Sequence, residues 1–500
     1  VVDVLLTHSY HLYYDRKQAR KMQPYPPLAT LYAAALLRQH GYSVAVFDPM
    51  LEDPATGFPA ALRQARPRVV ALCEDNFNFL SKMCLSRMRE VALEMIGLSR
   101  ATGARVVVNG SDSTDHLSQY LQGGADFIMI GEAEQTLLEL VDSLIGNSGQ
   151  DAIEIPGLAF MKSQGARLYK TPPRTLIKDL DELPFPARDL VDIERYRDAW
   201  KSAHSVFSLN LVASRGCPYR CNWCAKPIYG DRFHVRGAET VAREMALLKS
   251  EYGADHLWFA DDIFGLKNRW VLDLADHVEQ LDAAVPFKMQ TRADLMNEDV
   301  ALAFRRAGCA EAWLGVESGS QKILDAMDKG LRVDQVVKAR EHLRHAGIHT
   351  GFFLQFGYSG ETWNDIRKTI ELVRATRPDD IGVSISYPLP GTAFHARVRE
   401  QLGSKTNWID SEDLSMMFKG AYTTEFYRAL RDAIHAEVET WSAPSALSAS
   451  AGAFGHETGD AGAQSLAQHW ARVEQMEKTC RIEMPTLLPV LTCSTEAAAC

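Results

Sequence analysis

The sequence predicts an α/β protein: a doubly wound parallel sheet of the Rossmann-like kind, then a partial barrel of βα units, then a mostly helical tail. Three observations carry this. Short apolar, β-branched runs alternate with helix-periodic stretches over residues 1–150 and again over 200–400. A proline-rich stretch, 171–186, divides the two series. Beyond residue 400 the alternation gives way to helical and Ala/Ser/Gly-rich segments.

In the first series, Val1–Leu6 reads as a strand. Pro26 and Pro27 then introduce the Ala- and Leu-rich helix Leu28–Leu37, closed near Gly41. Strands follow at Ser43–Phe47, ending at Asp48, and at Arg68–Leu72, before a helix over Asn78–Ala101. Arg105–Val108 ends in Asn109-Gly110-Ser111, and Phe127–Ile130 runs into Gly131-Glu132-Ala133-Glu134 and a last helix. Such sheets bind ligands outside the carboxyl ends of their strands. Here those ends are Thr7-His8, Asp48, Glu74-Asp75, Asn109-Gly110-Ser111 and Gly131-Glu132. His8, His11 and His116 are expected in polar networks rather than on a metal, and Tyr10, Tyr13 and Tyr14 in packing.

Residues 151–199 form the connector. Gly157–Tyr169 reads as a hairpin turning at Ser163-Gln164-Gly165, and 171–186 as an extended strap, with the boundary near residue 190.

The barrel, 200–400, has six strand candidates: Val206–Val212, His256–Phe259, Pro286–Gln290, Glu311–Val316, Thr350–Phe356 and Ile381–Ser386. Helices such as Thr240–Glu251 and Val333–Ala346 lie between them. Six units are too few for an eight-fold barrel, and functional groups belong at the carboxyl ends of the strands. The first strand end carries Cys217, Cys221 and Cys224 at C-x3-C-x2-C spacing. Thiolates this crowded favour a soft metal or an iron–sulfur cluster. A zinc site would want a fourth ligand, and the nearest, His234, lies ten residues past Cys224. Cys73, Cys84, Cys309, Cys480, Cys493 and Cys500 are expected to be core or tail thiols.

In the tail, 401–500, the segment from Asn407-Trp408 to Phe426 and the helix Tyr427–Trp441 are expected to cover the barrel mouth. Ser442–Ala463 reads as a linker and Gln464–Met476 as a final helix.

The net charge of -10 argues against a nucleic-acid partner. Nine irregularly spaced cysteines do not make a secreted disulfide scaffold. No signal-peptide pattern opens the chain, and its longest apolar helical run, Leu28–Leu37, is too short for a bilayer. No membrane partner is expected.

The stretch Arg215-Gly216-Cys217-Pro218-Tyr219-Arg220-Cys221-Asn222-Trp223-Cys224 resembles the signature of the radical S-adenosylmethionine (radical SAM) superfamily, whose usual barrel is an open six-unit one. Residues 1–150 resemble the cobalamin-binding domain fused to many of these enzymes, through Asn109-Gly110 and Gly131-Glu132-Ala133-Glu134. The connector's Leu180-Asp181-Glu182-Leu183-Pro184-Phe185-Pro186 matches the junction wording of the same family. The resemblance implies a [4Fe–4S] cluster on Cys217, Cys221 and Cys224, with SAM on the remaining iron. It implies SAM contacts from Trp223, Ala260-Asp261-Asp262, Arg292, Glu317-Ser318 and Tyr387-Pro388. Arg292 has two readings, a fork onto the SAM carboxylate or a pair with Asp294, and Gly360–Thr362, after the fifth strand, reads equally as part of the site or as only a turn and helix cap. It implies cobalamin at Thr7, His8, Asp48, Glu74, Asn109, Gly110, Ser111, Gly131 and Glu132. The cobalt-ligating D-x-H-x-x-G pattern is absent; Asp48-Pro49-Met50-Leu51-Glu52-Asp53 stands in its place, so no side chain is assigned to cobalt.

The activity implied is functionalisation of an unactivated carbon of a small molecule, foremost by methyl transfer. Oxidation, ring closure or rearrangement with the same cofactors is the alternative, and a cofactor-binding protein without turnover a third. A radical methylthiotransferase acting on RNA fits poorly, because Cys73 and Cys84 make no second cysteine triad. An electron donor such as flavodoxin or ferredoxin and a cytoplasmic setting follow from a labile, reducible cluster.

Overall fold

The structure, a computed structural model, describes residues 1–53, 56–77, 86–146, 151–162, 167–403, 414–442 and 460–482. The turn at Ser163–Gly165, the segment at Asn407-Trp408, most of the expected linker (443–459), and Cys84, Cys493 and Cys500 lie outside the described residues.

Seven strands form the N-terminal sheet: β1 (Val4–Thr7), β2 (Val44–Val46), β3 (Val69–Cys73), β4 (Arg105–Asn109), β5 (Phe127–Met129), β6 (Leu158–Lys162) and β7 (Arg167–Lys170). Their order is β2-β1-β3-β4-β5-β6-β7. β1 to β5 are parallel, and β6 and β7 are antiparallel additions. Alternate residues of β3 serve different cores: Val69, Ala71 and Cys73 face one side, Val70 and Leu72 the other. A strand buried on both faces reads as a continuous apolar run, and Val69–Cys73 does. The hairpin expected in the connector thus extends this sheet and covers the edge that β5 would otherwise leave open. The chain reverses order between β1 and β3, the crevice where open α/β sheets take ligands.

The barrel strands are β8 (Ser208–Leu211), β11 (His256–Phe259), β12 (Phe287–Thr291), β13 (Cys309–Glu317), β14 (His349–Phe356) and β15 (Asp380–Ile385), with the short β9 (Ser214–Arg215) and β10 (His234–Val235) between the first two. The six pair in parallel, in sequence order, from β8 to β15. Leu209, Leu257, Phe287, Leu314, Leu354 and Ile385 point outward into one core beneath the helices. β13 runs longer than its apolar pattern, taking in Cys309 and ending on Glu317, whose φ of 62° is left-handed.

The connector is bonded to both units, Ala187 N donating to Leu31 O at 3.2 Å on the N-terminal side and Arg188 binding the barrel. Arg188 donates to Glu244 Oε1 at 2.8 Å and to the carbonyl of Asn210, while Arg236 donates to Glu244 Oε2 at 2.5 Å. Residues 24–26 of the N-terminal unit lie against the barrel. Trp200 Nε1 donates to Pro24 O, Asn210 Nδ2 donates to Pro26 O, and the Tyr25 hydroxyl bonds Ser208 Oγ.

The tail helix Thr424–Glu439 buries Phe426, Tyr427 and Leu430 in the barrel core. The final helix runs Asp460–Thr479, longer at both ends than its apolar pattern. Among the described residues, no helix is long and apolar enough to cross a membrane.

Candidate active site

The cysteine loop spans residues 216–233 and is pinched at its base by the antiparallel pairs Arg215–His234 and Ser214–Val235. It leaves from the carboxyl end of β8, where barrels of this type place their chemistry. Gly216 is required at its start. Its φ is 76°, and a Cβ there would sit 2.0 Å from Arg232 O.

Several groups hold the loop's shape. Lys226 Nζ donates to Cys217 O at 2.9 Å and Tyr219 O at 2.5 Å and pairs with Asp231. Asn222 donates to Ala326 O and Asp328, accepts from the Tyr358 hydroxyl, and takes the Phe394 amide on its own carbonyl. Its position thereby ties the loop to the segments that follow β13, β14 and β15.

Cys217, Cys221 and Cys224 are half-buried. Burial, then Asp262 and the two neighbouring thiols, pushes Cys224 up to about 12. Burial also raises Cys217, with Asp262 and Cys221 adding to it against the pull of Lys226. The three thiols and Asp262 therefore share one electrostatic neighbourhood, and metal binding there would displace protons. Among the described residues, no group of three or more His, Cys, Asp or Glu side chains closes on a single ion position. A cubane asks for something different, one thiolate per iron corner, so its ligands spread around a volume. His234 belongs to the base of the loop, its ring nitrogen 3.3 Å from Lys178 O.

The other sequence-selected residues divide into those that gather at the loop and those spent elsewhere. Asp262 is half-buried and close enough for its charge to raise both Cys217 and Cys224. Asp261 is fully buried and structural: it accepts from Ala213 N at 3.1 Å and from the Ser214 hydroxyl, shaping the turn from β8 to β9. Ala260 is a packing residue. Arg292 pairs with Asp294 through Nε (2.9 Å) and Nη2 (3.1 Å) and lies 3.7 Å over the Tyr219 ring. Its Nη1 is buried without a partner, as is the indole nitrogen of Trp223. These are two unspent donors beside the cysteine loop, and a carboxylate-bearing ligand would satisfy them.

Glu317 is bound by the buried Lys329 at 2.8 Å, and Ser318 bonds Thr369. Lys329 was not evident from the sequence, because its partner is set by the fold; burial opposes its charge, and Glu317 and Cys221 restore it. Tyr387 is half-buried and Pro388 buried, following β15. Thr362 caps the helix Trp363–Thr376 through a capping box with Asp365, in agreement with the turn-and-cap reading.

The N-terminal strand ends face the same region with fewer open groups. His8 meets Asp48 at 3.0 Å, and the Tyr196 hydroxyl donates to the other Asp48 oxygen at 2.6 Å. His8 thus sits in a polar network with Asp48 and Tyr196. Ser9 N donates to Glu74 across the β1–β3 crevice, and Thr7 is buried beside it. Asn109 donates to Met129 O and Gly131 O. Gly110 is extended, and the buried Ser111 hydroxyl has no partner.

Gly131 abuts the cysteine loop, a Cβ there falling 3.5 Å from Ile228 O. Glu132 differs most from its expected role. Its carboxylate is taken by Arg215 Nη1 (2.5 Å) and the Ile177 amide (2.6 Å), while Arg215 Nη2 bonds Glu134 at 2.6 Å.

A sequence model of the radical SAM superfamily matches residues 211–373. An uncharacterized methyltransferase of Pyrococcus horikoshii is 27% identical over 423 residues, covering 81% of this chain and 88% of the relative. An anaerobic magnesium-protoporphyrin IX monomethyl ester cyclase of Rubrivivax gelatinosus is 24% identical, covering 78% and 68%. Among solved structures, the radical SAM methyltransferase TsrM of Kitasatospora setae, with cobalamin and a [4Fe–4S] cluster bound, superposes with a TM-score of 0.65. It is 21% identical and covers 81% of this chain and 76% of that one, a likeness of fold. With its cysteine loop on the first barrel strand, this chain carries a radical SAM domain behind an N-terminal parallel sheet.

Proposed function

We propose that the protein is a cobalamin-dependent radical SAM enzyme that methylates an unactivated carbon of a small molecule. The observation that carries this is the gathering of Cys217, Cys221, Cys224, Asp262 and Arg292 at the carboxyl ends of consecutive barrel strands, facing the strand ends of a doubly wound sheet. When bound, the cluster, SAM and cobalamin would supply one-electron cleavage of SAM, hydrogen abstraction and methyl donation.

The chain's own residues have definite tasks in this reading. Cys217, Cys221 and Cys224 hold the cluster. Asp262 receives the SAM ammonium, and the free Nη1 of Arg292 its carboxylate. Trp223 adds its indole N–H, and Glu317 and Tyr387-Pro388 border the same ligand. Thr7, His8, Asp48, Glu74 and Asn109–Ser111 line the cobalamin crevice, and Gly131 lets that crevice approach the cysteine loop. Lys226 and Asn222 hold the loop in shape. Flavodoxin or ferredoxin is the fitting electron donor, and the reducing cytoplasm the fitting compartment.

Cyclisation or oxidation with the same cofactors is the second reading, favoured by the likeness to the anaerobic cyclase. Anaerobic reconstitution with iron, sulfide and cobalamin tests both. About four irons and one cobalt per chain are expected, with 5′-deoxyadenosine formed on reduction with SAM and lost in Cys221→Ala. Product heavier by one CH2 supports methylation; turnover without that gain supports the second reading. Cleavage retained in Cys221→Ala, or zinc in place of iron, overturns the assignment.

A further inference from the structure

The barrel's concave face carries an aromatic platform outside the hydrophobic core. Along β13, β14 and β15, residues alternate between the outer core and the lumen. Ala312, Leu314, Phe352 and Leu354 are fully buried on the outer side. On the other side, Trp313 and Phe353 lie against one another, centroids 4.7 Å apart and planes at 30°. Trp313 is only half-buried, and Phe353 is 37% exposed, unusual for a phenylalanine in the middle of a central strand. Neither belongs to the hydrophobic core.

Two glycines make room for the rings. Gly351 is the register partner of Trp313, and a Cβ there would lie 2.5 Å from the indole. Gly382 pairs with Phe353, and its Cβ would press both rings at 3.2 and 3.3 Å. The indole N–H is already donated to Glu311, so the platform offers its ring faces alone.

A second, independent feature stands on the same face toward the carboxyl ends. Gln355, two residues beyond Phe353, is 4% exposed, and its side-chain oxygen has no partner. The Ser386 hydroxyl, 1% exposed just past β15, is also unpartnered. An unsatisfied buried acceptor is costly, and the cost is relieved when a ligand donates to it.

We propose that this face is the substrate subsite and that it takes a flat, conjugated ring system bearing an N–H or O–H donor. The ring stacks on Trp313 and Phe353, and the donor reaches Gln355, on the side toward the cysteine loop. The assignment as a substrate subsite rests on the radical SAM reading; the binding chemistry does not.

Three probes of one skeleton separate the terms: 2-naphthol, 2-methoxynaphthalene, which lacks the donor, and decahydro-2-naphthol, which lacks the flat face. Binding to the full chain is followed by ligand-observed NMR titration. In the native chain 2-naphthol binds more tightly than either relative. Trp313→Leu and Gly382→Ala each weaken it about tenfold, the scale of a lost aromatic contact. Gln355→Leu removes the preference for 2-naphthol over 2-methoxynaphthalene. Should Trp313→Leu fail to fold, the one-methyl change at Gly382 carries the test. Absence of 2-naphthol binding, or binding indifferent to these changes, overturns the proposal. Absence of SAM cleavage in the native chain would sink the radical SAM reading while leaving a positive probe pattern intact. A failed probe pattern in a chain that cleaves SAM sinks the platform alone.

Discussion

Arg215 Nη2 lies 2.6 Å from Glu134 Oε1, an ion pair in which both side chains are at most 5% exposed. Arg215 stands two residues before Cys217, and Glu134 opens the helix that follows β5, so the pair bolts the cysteine loop to the N-terminal sheet. Burial works against the guanidinium charge, and Glu134, Tyr229 and Glu132 more than restore it. Tyr32, Phe77 and Tyr229 surround it with ring faces at 5.2–5.4 Å.

Arg215→Met should leave two buried carboxylates without their cation, at a cost of about 3–5 kcal/mol. Denaturant unfolding measures this. Adding Glu134→Gln to the variant should recover part of the loss, because one of the stranded charges is then gone; no recovery would mean the pair is not coupled.

Asp261 and Asp262 should behave as opposites despite being neighbours. Asp261→Ala strands the buried amide of Ala213 and the hydroxyl of Ser214, each worth about 1–3 kcal/mol, and should lower stability. Asp262→Ala should leave stability and iron content near native and weaken SAM binding by about tenfold or more. Thermal unfolding beside SAM titration of the reduced protein separates the two.

Lys226→Met should free the carbonyls of Cys217 and Tyr219 and loosen the loop before any iron binds. Outer-shell changes of this kind cost roughly 10–100-fold in metal affinity. Competition with an iron chelator gives the number, and Lys226→Arg, which keeps donors and charge, should fall between.

Glu361 should make stability depend on pH. Burial pushes its carboxyl up to about 8, with one oxygen held by the Gly357 amide and the other unpartnered. The folded chain thus keeps a proton that the unfolded chain releases near its ordinary value of 4.5. This contribution is complete below pH 4.5 and is lost as pH rises through about 8. Glu361→Gln cannot release the proton, so its stability relative to native should rise between pH 5 and 8. Parallel stability curves across that range would refute this.

Much of this was readable from residue patterns because those patterns report local burial. Val69–Cys73 is apolar throughout because both faces are covered, and the cysteine triplet follows directly on the apolar run that forms β8. What the sequence withheld was the choice of distant partners. Glu132 read as ligand-facing until the fold brought Arg215, more than eighty residues away, onto it and onto Glu134. Asp261 and Asp262 look alike as a dipeptide, and only the register of β11 against β8 sends one inward. Phe353 reads as core in an apolar strand; the residue-by-residue alternation of exposure reveals the lumen face.

The contacts of Pro24, Tyr25 and Pro26 with Trp200, Asn210 and Ser208 carry a consequence for engineering. The N-terminal sheet is not a detachable cassette. A chimera spliced at the proline-rich strap would separate Tyr25 from the wall it seals and expose Trp200 and the floor of β8. Grafting a different sheet onto this barrel would have to transplant residues 22–27 as part of the barrel, although the chain delivers them some 180 positions earlier.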